Sequence, residues 1–323
     1  FWRALHHGRS RDGRLLYPAF PYPNYTRVTR QDSDALFAYL RSLPAVAQPN
    51  RRHELRFPYD STVALAVWRA LYFRPAEFKP SPQESGDWNR GAYLVQGLGH
   101  CNACHSSRNA LGATMSALDL SGGLIPMQNW YAPSLTASGE AGVADWTVPQ
   151  IVDLLQHGVS SRGSVLGPMA EVVQHSTQYL SGQDLRAMAT YLRALPPSHD
   201  EAHSEPPATP PSPDSHGAKL YEQHCAQCHG QQGEGRGHAY PALAGNRAVT
   251  MASPANLVRV VLAGGFPPAT AGNPRPYGMP PFAMVFSNDD TAAVLTYIRQ
   301  AWGNQGATVV PLDVIQLRNG LSD

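Results

Sequence analysis

Apolar residues recur at helical spacing in three segments that align on a tyrosine: Asp32–Pro44, Asp184–Pro196 and Asp290–Ala301. Each places an aspartate seven residues before the tyrosine (Tyr39, Tyr191, Tyr297), an alanine four before it and an arginine two after. An Asp, Ser or Thr at the front supplies an N-cap, and proline closes the first two segments. Upstream of each, a second helical run ends on a glycine suited to a C-cap: Gly8, Gly158 and Gly264. The pattern predicts the same unit three times, a helix, a glycine, a loop and a terminal helix.

Two of the three units are preceded by a further helix carrying glycine, at Gly91-Ala92-Tyr93-Leu94 and Gly217-Ala218-Lys219-Leu220. Glycine at a crossing point lets the tyrosine-bearing helix approach closely. Residues 1–46 hold only the second half of such a unit, so the half that would precede it is expected in a longer natural chain. Residues 47–85 connect, 86–197 form the second unit and 214–323 the third. Between those two lies 198–213, proline-rich, polar and aperiodic, which reads as an extended linker. Phe57 to Phe73 is apolar along one side but too short to span a bilayer. It reads as packing between the first and second domains, with docking on a partner subunit or a membrane surface as the alternatives.

Length and composition agree with this map. A chain of 323 residues is long enough for two or three domains of roughly 100–150 residues. Glycine (28) and proline (29) are abundant enough to mean loop-rich domains rather than disorder. The net charge of +1 gives no reason to expect a nucleic-acid partner. No run of about 20 apolar residues is present. The chain opens on Phe1-Trp2-Arg3 without methionine or a signal peptide, which reads as a mature or truncated product.

All four cysteines fall into two copies of one pattern, Cys101-Asn102-Ala103-Cys104-His105 and Cys225-Ala226-Gln227-Cys228-His229. C-x-x-C-H is the attachment signature of c-type haem. Two thioether bonds fix the porphyrin edge, and the histidine is placed beneath the iron as its proximal ligand. A zinc ribbon needs its pairs about 15–20 residues apart, a thioredoxin-like pair does not need the histidine, and adjacent pairs staple a fold poorly. The fold class expected is therefore mainly α, with tandem, loop-rich class I cytochrome c domains and two covalently bound haems. A third haem would belong to the missing N-terminal half.

What fills the far side of each iron decides the function. The loops before the terminal helices offer Met169, in Gly167-Pro168-Met169, and Met279, in Tyr277-Gly278-Met279-Pro280-Pro281, 22 and 18 residues before their tyrosines. A thioether there raises the potential and closes the iron to peroxide or oxygen. Met284 is the alternative ligand in the third unit. Met188, inside an apolar helix, reads as core, and Met115 and Met127 as loop or packing residues. The matching position in the first unit is Phe20, which cannot coordinate iron. The carbonyl of Pro241, twelve residues after His229, is placed to accept the proximal imidazole N–H, and Pro133 offers the same to His105 across a longer loop. Arg108, Trp130 and Tyr131 are candidates to hold haem propionates. His100 and His224, just ahead of the cysteines, read as solvent-facing helix-end residues.

Several segments go beyond the generic haem motif: Tyr17-Pro18-Ala19-Phe20-Pro21-Tyr22, Trp88 to Leu94, Gly99 to Gly112, Gly167 to Val173, His175 to Tyr179, and Trp302-Gly303-Asn304. In these the chain resembles the multihaem cytochrome c subunits of membrane-associated bacterial dehydrogenases. Their catalytic partners oxidise alcohol, gluconate, fructose or glucose, or are molybdenum enzymes acting on aldehydes or N-heterocycles. The resemblance implies a non-catalytic, periplasmic subunit at the outer face of the inner membrane. It would relay electrons from a molybdenum, flavin or quinone type dehydrogenase subunit to quinone or a soluble acceptor. Phe20 stands where many members have methionine, which points away from the alcohol and sugar branch and toward the molybdenum branch. A dihaem peroxidase, a thiosulfate-oxidising cytochrome and a free-standing shuttle are the rival readings. The first needs an open iron and the second uses a cysteine ligand.

Overall fold

The computed structural model describes residues 1–49, 51, 53–114, 119–126, 128–198, 210–237 and 239–319. Met115, Met127 and most of the 198–213 linker lie outside the described residues. The protein is mainly helical, and its contacts divide it into two compact units, 1–120 and 121–323. That boundary falls inside the segment read from sequence as one unit, 86–197.

The first unit holds α1 (Trp2–His7), α2 (Tyr22–Tyr25), α3 (Arg30–Ser42), α4 (Thr62–Tyr72) and α5 (Gly86–Tyr93). Beyond α5 the chain widens into a loose helical turn over Leu94–Leu98 and a tight turn over Cys101–Ala103. Its core includes Leu5, Tyr22, Val28, Phe73 and residues 92–95. The Arg69 guanidinium lies over the Tyr22 and Phe73 rings, 4.7 and 4.8 Å from their centroids, while donating to the His7 and Gly8 carbonyls that end α1. Cation–π attraction and capping of the last carbonyls thus act through one side chain. Trp68 donates its indole N–H to Leu111 O at 2.9 Å. The 57–73 stretch therefore packs within its own unit on one side, while Val63, Val67 and Leu71 leave an apolar stripe of α4 exposed.

The second unit contains two hairpins, β1 (Gly123–Leu124) with β2 (Tyr131–Ala132) and β3 (Val159–Ser160) with β4 (Gly163–Ser164). Its helices are α6 (Val148–His157), α7 (Pro168–His175), α8 (Gly182–Arg193), α9 (His216–His224), α10 (Ala226–His229), α11 (Arg247–Thr250), α12 (Ala255–Ala263), α13 (Asn288–Gln300) and α14 (Pro311–Asn319). α6 packs on α8 and α9 on α13, while α14 covers α12 and α13.

The three repeated helices α3, α8 and α13 begin alike. Thr29, Ser181 and Ser287 are the caps, each hydroxyl accepting from the backbone N–H of the aspartate three residues on. The preceding runs end at Gly8 and Gly158 in the left-handed conformation, as the repeat requires. Burial then separates the copies. Tyr191 on α8 is 2% exposed, whereas Tyr39 at the same place on α3 is 63% exposed, flanked by exposed Leu36, Leu40 and Leu43.

Asp290 ties α13 to α9. Its carboxylate accepts from Ser287 N–H and Oγ–H and faces His216 Nε2 at 2.6 Å. The Ser287 hydroxyl first, then His216, hold its carboxyl down at about 2. Because the folded value lies below the unfolded one of about 3.9, the stabilisation is present above about pH 4 and is lost as pH falls toward 2. Asp290→Ala is expected to cost about 1 kcal/mol at pH 7 and to flatten that acid limb. Urea unfolding repeated from pH 6 to pH 2 checks this; an unchanged limb would remove Asp290 as its source.

Candidate metal centres

The third repeat builds its site from one helical turn. The His229 N–H bonds to Cys225 O at 2.9 Å and Cys228 N–H to the same carbonyl at 3.1 Å. Cysteines at i and i+3 with histidine at i+4 therefore share one face. Tyr221, one turn earlier on α9, anchors this turn by donating its hydroxyl to Gly230 O at 2.7 Å. Beyond the histidine the chain coils back. Gly235 N–H reaches His229 O at 2.8 Å, and Leu243 N–H reaches Gly233 O at 2.7 Å. Gly235 sits at φ +71° with no room for a side chain, since a Cβ would lie 2.6 Å from both Ala242 N and Tyr240 O.

That coil delivers Pro241 to His229, with the imidazole Nδ1 2.9 Å from Pro241 O. A carbonyl only accepts, so Nδ1 carries the proton and Nε2 keeps its lone pair for a metal. Burial lowers the His229 pKa, against the opposing pull of that hydrogen bond, and favours the neutral ligand form.

The Met279 loop is pinned to the end of α12. Met279 and Gly265 exchange backbone hydrogen bonds of 2.8 and 3.1 Å, and Phe282 and Ala283 donate to Val261 and Leu262 carbonyls. Gly264 permits this at φ +68°, where a Cβ would lie 2.4 Å from Met279 O. Met279 and Cys225 both pack against the same apolar cluster around Leu262 and Leu295. Tyr240, beside Pro241, meets Tyr277 of the methionine loop with ring centroids 5.2 Å apart. Proximal and distal loops are thus joined at their rim. Met284, by contrast, is 97% exposed. An imidazole oriented by a carbonyl, two cysteines on one helical face and a methionine packed on the same apolar cluster as Cys225 fit a covalently attached haem.

Sequence reading placed the residues of the second site on both sides of the unit boundary. Cys101, Cys104 and His105 belong to the first unit, and His105 N–H closes the turn on Cys101 O at 3.0 Å. Arg108 spends Nη1 on Gly112 O at 2.9 Å and Nη2 on Ala103 O, closing the loop that follows the motif. Contacts from the first repeat were not legible in the sequence. Asn24 donates to the buried Asn102, and Tyr25 packs edge-on to His100. His100 is accordingly half-buried with φ +38° rather than a solvent-facing helix end. His224, also expected to face solvent, is exposed but sets its ring edge against Phe286.

In the second unit, Met169 packs on Val165, Ala170 and Val173 at the start of α7. Gly167 just before it has φ +58°, and a Cβ there would lie 2.7 Å from the Trp130 ring. The Tyr131 hydroxyl donates to the Glu140 carboxylate at 2.8 Å. Pro133 lies in the same loop, with Gly122 against its carbonyl carbon and Ser134 N. Met188 is buried in α8 as core.

The cysteines form no disulfides. Burial pushes the Cys101 thiol up to about 12 and Cys225 to about 11. A redox-active C-x-x-C needs the opposite shift, toward a thiolate at neutral pH. Among the described residues no group of three or more His, Cys, Asp or Glu side chains converges to hold a metal ion. No described helix is long and apolar enough to cross a membrane.

Residues 215–302 match the cytochrome c family. The cytochrome c subunit of the quinone-type alcohol dehydrogenase from Gluconacetobacter polyoxogenes is 37% identical over 336 residues, covering 99% of this chain and 72% of that protein. The cytochrome c subunit of gluconate 2-dehydrogenase from Pantoea cypripedii is 34% identical, covering 98% and 76%. One of the subunits of nicotinate dehydrogenase from Pseudomonas putida is 38% identical over 308 residues, covering 93% of this chain and 25% of that protein.

Proposed function

The chain belongs to the cytochrome c subunits of dehydrogenases, electron-transfer rather than catalytic components, and from that premise we propose that it relays electrons from a catalytic dehydrogenase subunit to membrane quinone or another respiratory acceptor. Two haems would be held here, by Cys101, Cys104, His105 and Met169 and by Cys225, Cys228, His229 and Met279. Haem c, when bound, supplies reversible one-electron iron chemistry. The observation that carries the reading is the His229–Pro241 hydrogen bond, in a site whose opposite loop presents Met279. Such a site holds an electron without admitting a reactant.

The exposed face of α3 around Tyr39 supports a third haem-binding half ahead of residue 1 in the natural protein, and the exposed stripe on α4 supports contact with a partner or membrane surface. The outer face of the bacterial inner membrane is the proposed location. Relatives serving an alcohol and a nicotinate dehydrogenase are similar to the same degree, at 37% and 38%. Overall similarity therefore does not separate these branches, and the cofactor of the catalytic partner would.

The test is purification of the natural protein from its membranes. The expected result is co-purification with a larger subunit containing molybdenum, flavin or a quinone cofactor, whose substrate reduces the haems and whose oxidation is completed by a quinone analogue. Isolation as a lone protein that turns over peroxide, with five-coordinate high-spin iron in both redox states, would replace this reading with the peroxidase one.

A further inference from the structure

α12 has two working faces. Val258, Val261 and Leu262 are buried in the core that surrounds Met279. Asn256 and Arg259, three residues apart and so neighbours on the helix surface, face the segment 130–131 instead. The Asn256 amide accepts from Tyr131 N–H at 2.9 Å and donates to Tyr131 O at 2.7 Å, pairing with that residue as a neighbouring strand would. One turn on, the Arg259 guanidinium lies 5.2 Å from the centre of the Trp130 ring. Trp130 in turn backs Gly167, two residues before Met169.

Arg259 is unlike the other enclosed arginines of this unit. Arg299, 1% exposed, donates Nε to Ala307 O and Nη1 to Val249 O. Arg247 donates to Gly142 O and to Asp145. Arg259 Nε and Nη1 are both shielded from solvent and have no hydrogen-bond partner, and among the described residues the side chain makes no ion pair. A half-buried guanidinium with two shielded, unpaired nitrogens favours an acceptor there, and an anionic one most strongly. A covalently bound haem brings two carboxylates of that kind on its propionates.

We propose that Arg259 is a positioning residue that binds a haem propionate, held in place by its stack on Trp130 and by the neighbouring Asn256–Tyr131 pairing. It was not among the propionate candidates Arg108, Trp130 and Tyr131. The proposal rests on haem attachment at the two C-x-x-C-H motifs.

A guanidinium beside a propionate disfavours the ferric charge, so its removal lowers the midpoint potential of that haem. The experiment is a spectroscopic redox titration of the natural full-length protein between pH 5 and pH 9, for wild type, Arg259→Gln, Arg259→Lys and Asn256→Ala. Each haem is assigned by repeating the titration in Met169→Ala and Met279→Ala backgrounds. In Arg259→Gln, one haem is expected to favour the ferric form roughly tenfold more, a fall of about 59 mV for a one-electron couple. Its potential should also gain a pH dependence as the released propionate titrates. Arg259→Lys keeps the charge and should restore most of the shift. Asn256→Ala, which removes the pairing that holds the 130–131 segment against α12, should lower the potential of the same haem, by less than Arg259→Gln does. Movement confined to one haem names the source of the carboxylate. If both haems of Arg259→Gln and Arg259→Lys keep wild-type potentials and pH profiles, Arg259 binds no propionate. A mass showing fewer than two haems on the wild type would instead sink the attachment reading.

Discussion

Met279→Ala is expected to convert the haem attached at Cys225 and Cys228 from six-coordinate low-spin to a high-spin or water-ligated form, with a large fall in its midpoint potential. Axial ligands move haem potentials across roughly 0.8 V, and the methionine thioether lies toward the positive end because it favours ferrous iron. The structure sharpens the choice of residue. Met279 is half-buried against the core cluster and locked to Gly265 by paired backbone hydrogen bonds, while Met284, five residues on, is 97% exposed. Met284→Ala should therefore leave spectrum and potential unchanged. The measurement is the ferric absorption spectrum with a potentiometric titration, the second haem serving as internal reference. A Met279→Ala protein that keeps its low-spin bands, or a Met284→Ala protein that loses them, would show that the sixth ligand comes from elsewhere.

The parts of this molecule that were readable from sequence are those governed by residues close along the chain. Ser287 caps α13 because a hydroxyl and an aspartate three residues apart meet on the first turn, a local arrangement that the repeat displays three times. The C-x-x-C-H turns are local in the same way, and Pro241 was within reach because only twelve residues separate it from His229. Arg259 was invisible for the opposite reason. Its partner Trp130 lies 129 residues away, and an arginine on an amphipathic helix ordinarily faces water. Asn256 and Tyr131 pair across a similar distance, with no spacing rule to announce them. α14 also went unread, because its apolar and polar residues show no helical periodicity. It is held by Val314, fully buried, and by Arg318 donating to the Ala283 and Phe286 carbonyls.

Gly217→Val should be the most damaging single change outside the ligands, with a loss of about 3 kcal/mol, the upper part of the usual range for overpacking. Gly217 lies where α9 crosses α13. A Cβ there would fall 2.2 Å from the Ala293 carbonyl oxygen and 3.0 Å from Tyr297 Cβ. The first of these is backbone, so no rotamer change can relieve it. The helices must separate, and the damage spreads because the crossing is shared. Tyr221, on the same helix, packs its ring against Tyr297 and Trp302 at centroid distances of 5.7 and 4.8 Å. The C-terminal end of α9 runs directly into Cys225, so a tilted helix also carries the haem attachment away from Pro241 and Met279. With total stabilities of about 5–15 kcal/mol, such a loss is large. Denaturant unfolding followed by the haem absorption should show an earlier midpoint and, ahead of global unfolding, partial loss of the low-spin signal. Lys219→Val, at an exposed position on the same helix, adds a valine where no helix crosses and should cost no more than its helix propensity, about 0.5 kcal/mol. If the two variants unfold alike, the helices do not meet at Gly217, and the close crossing inferred from the repeated glycine is wrong.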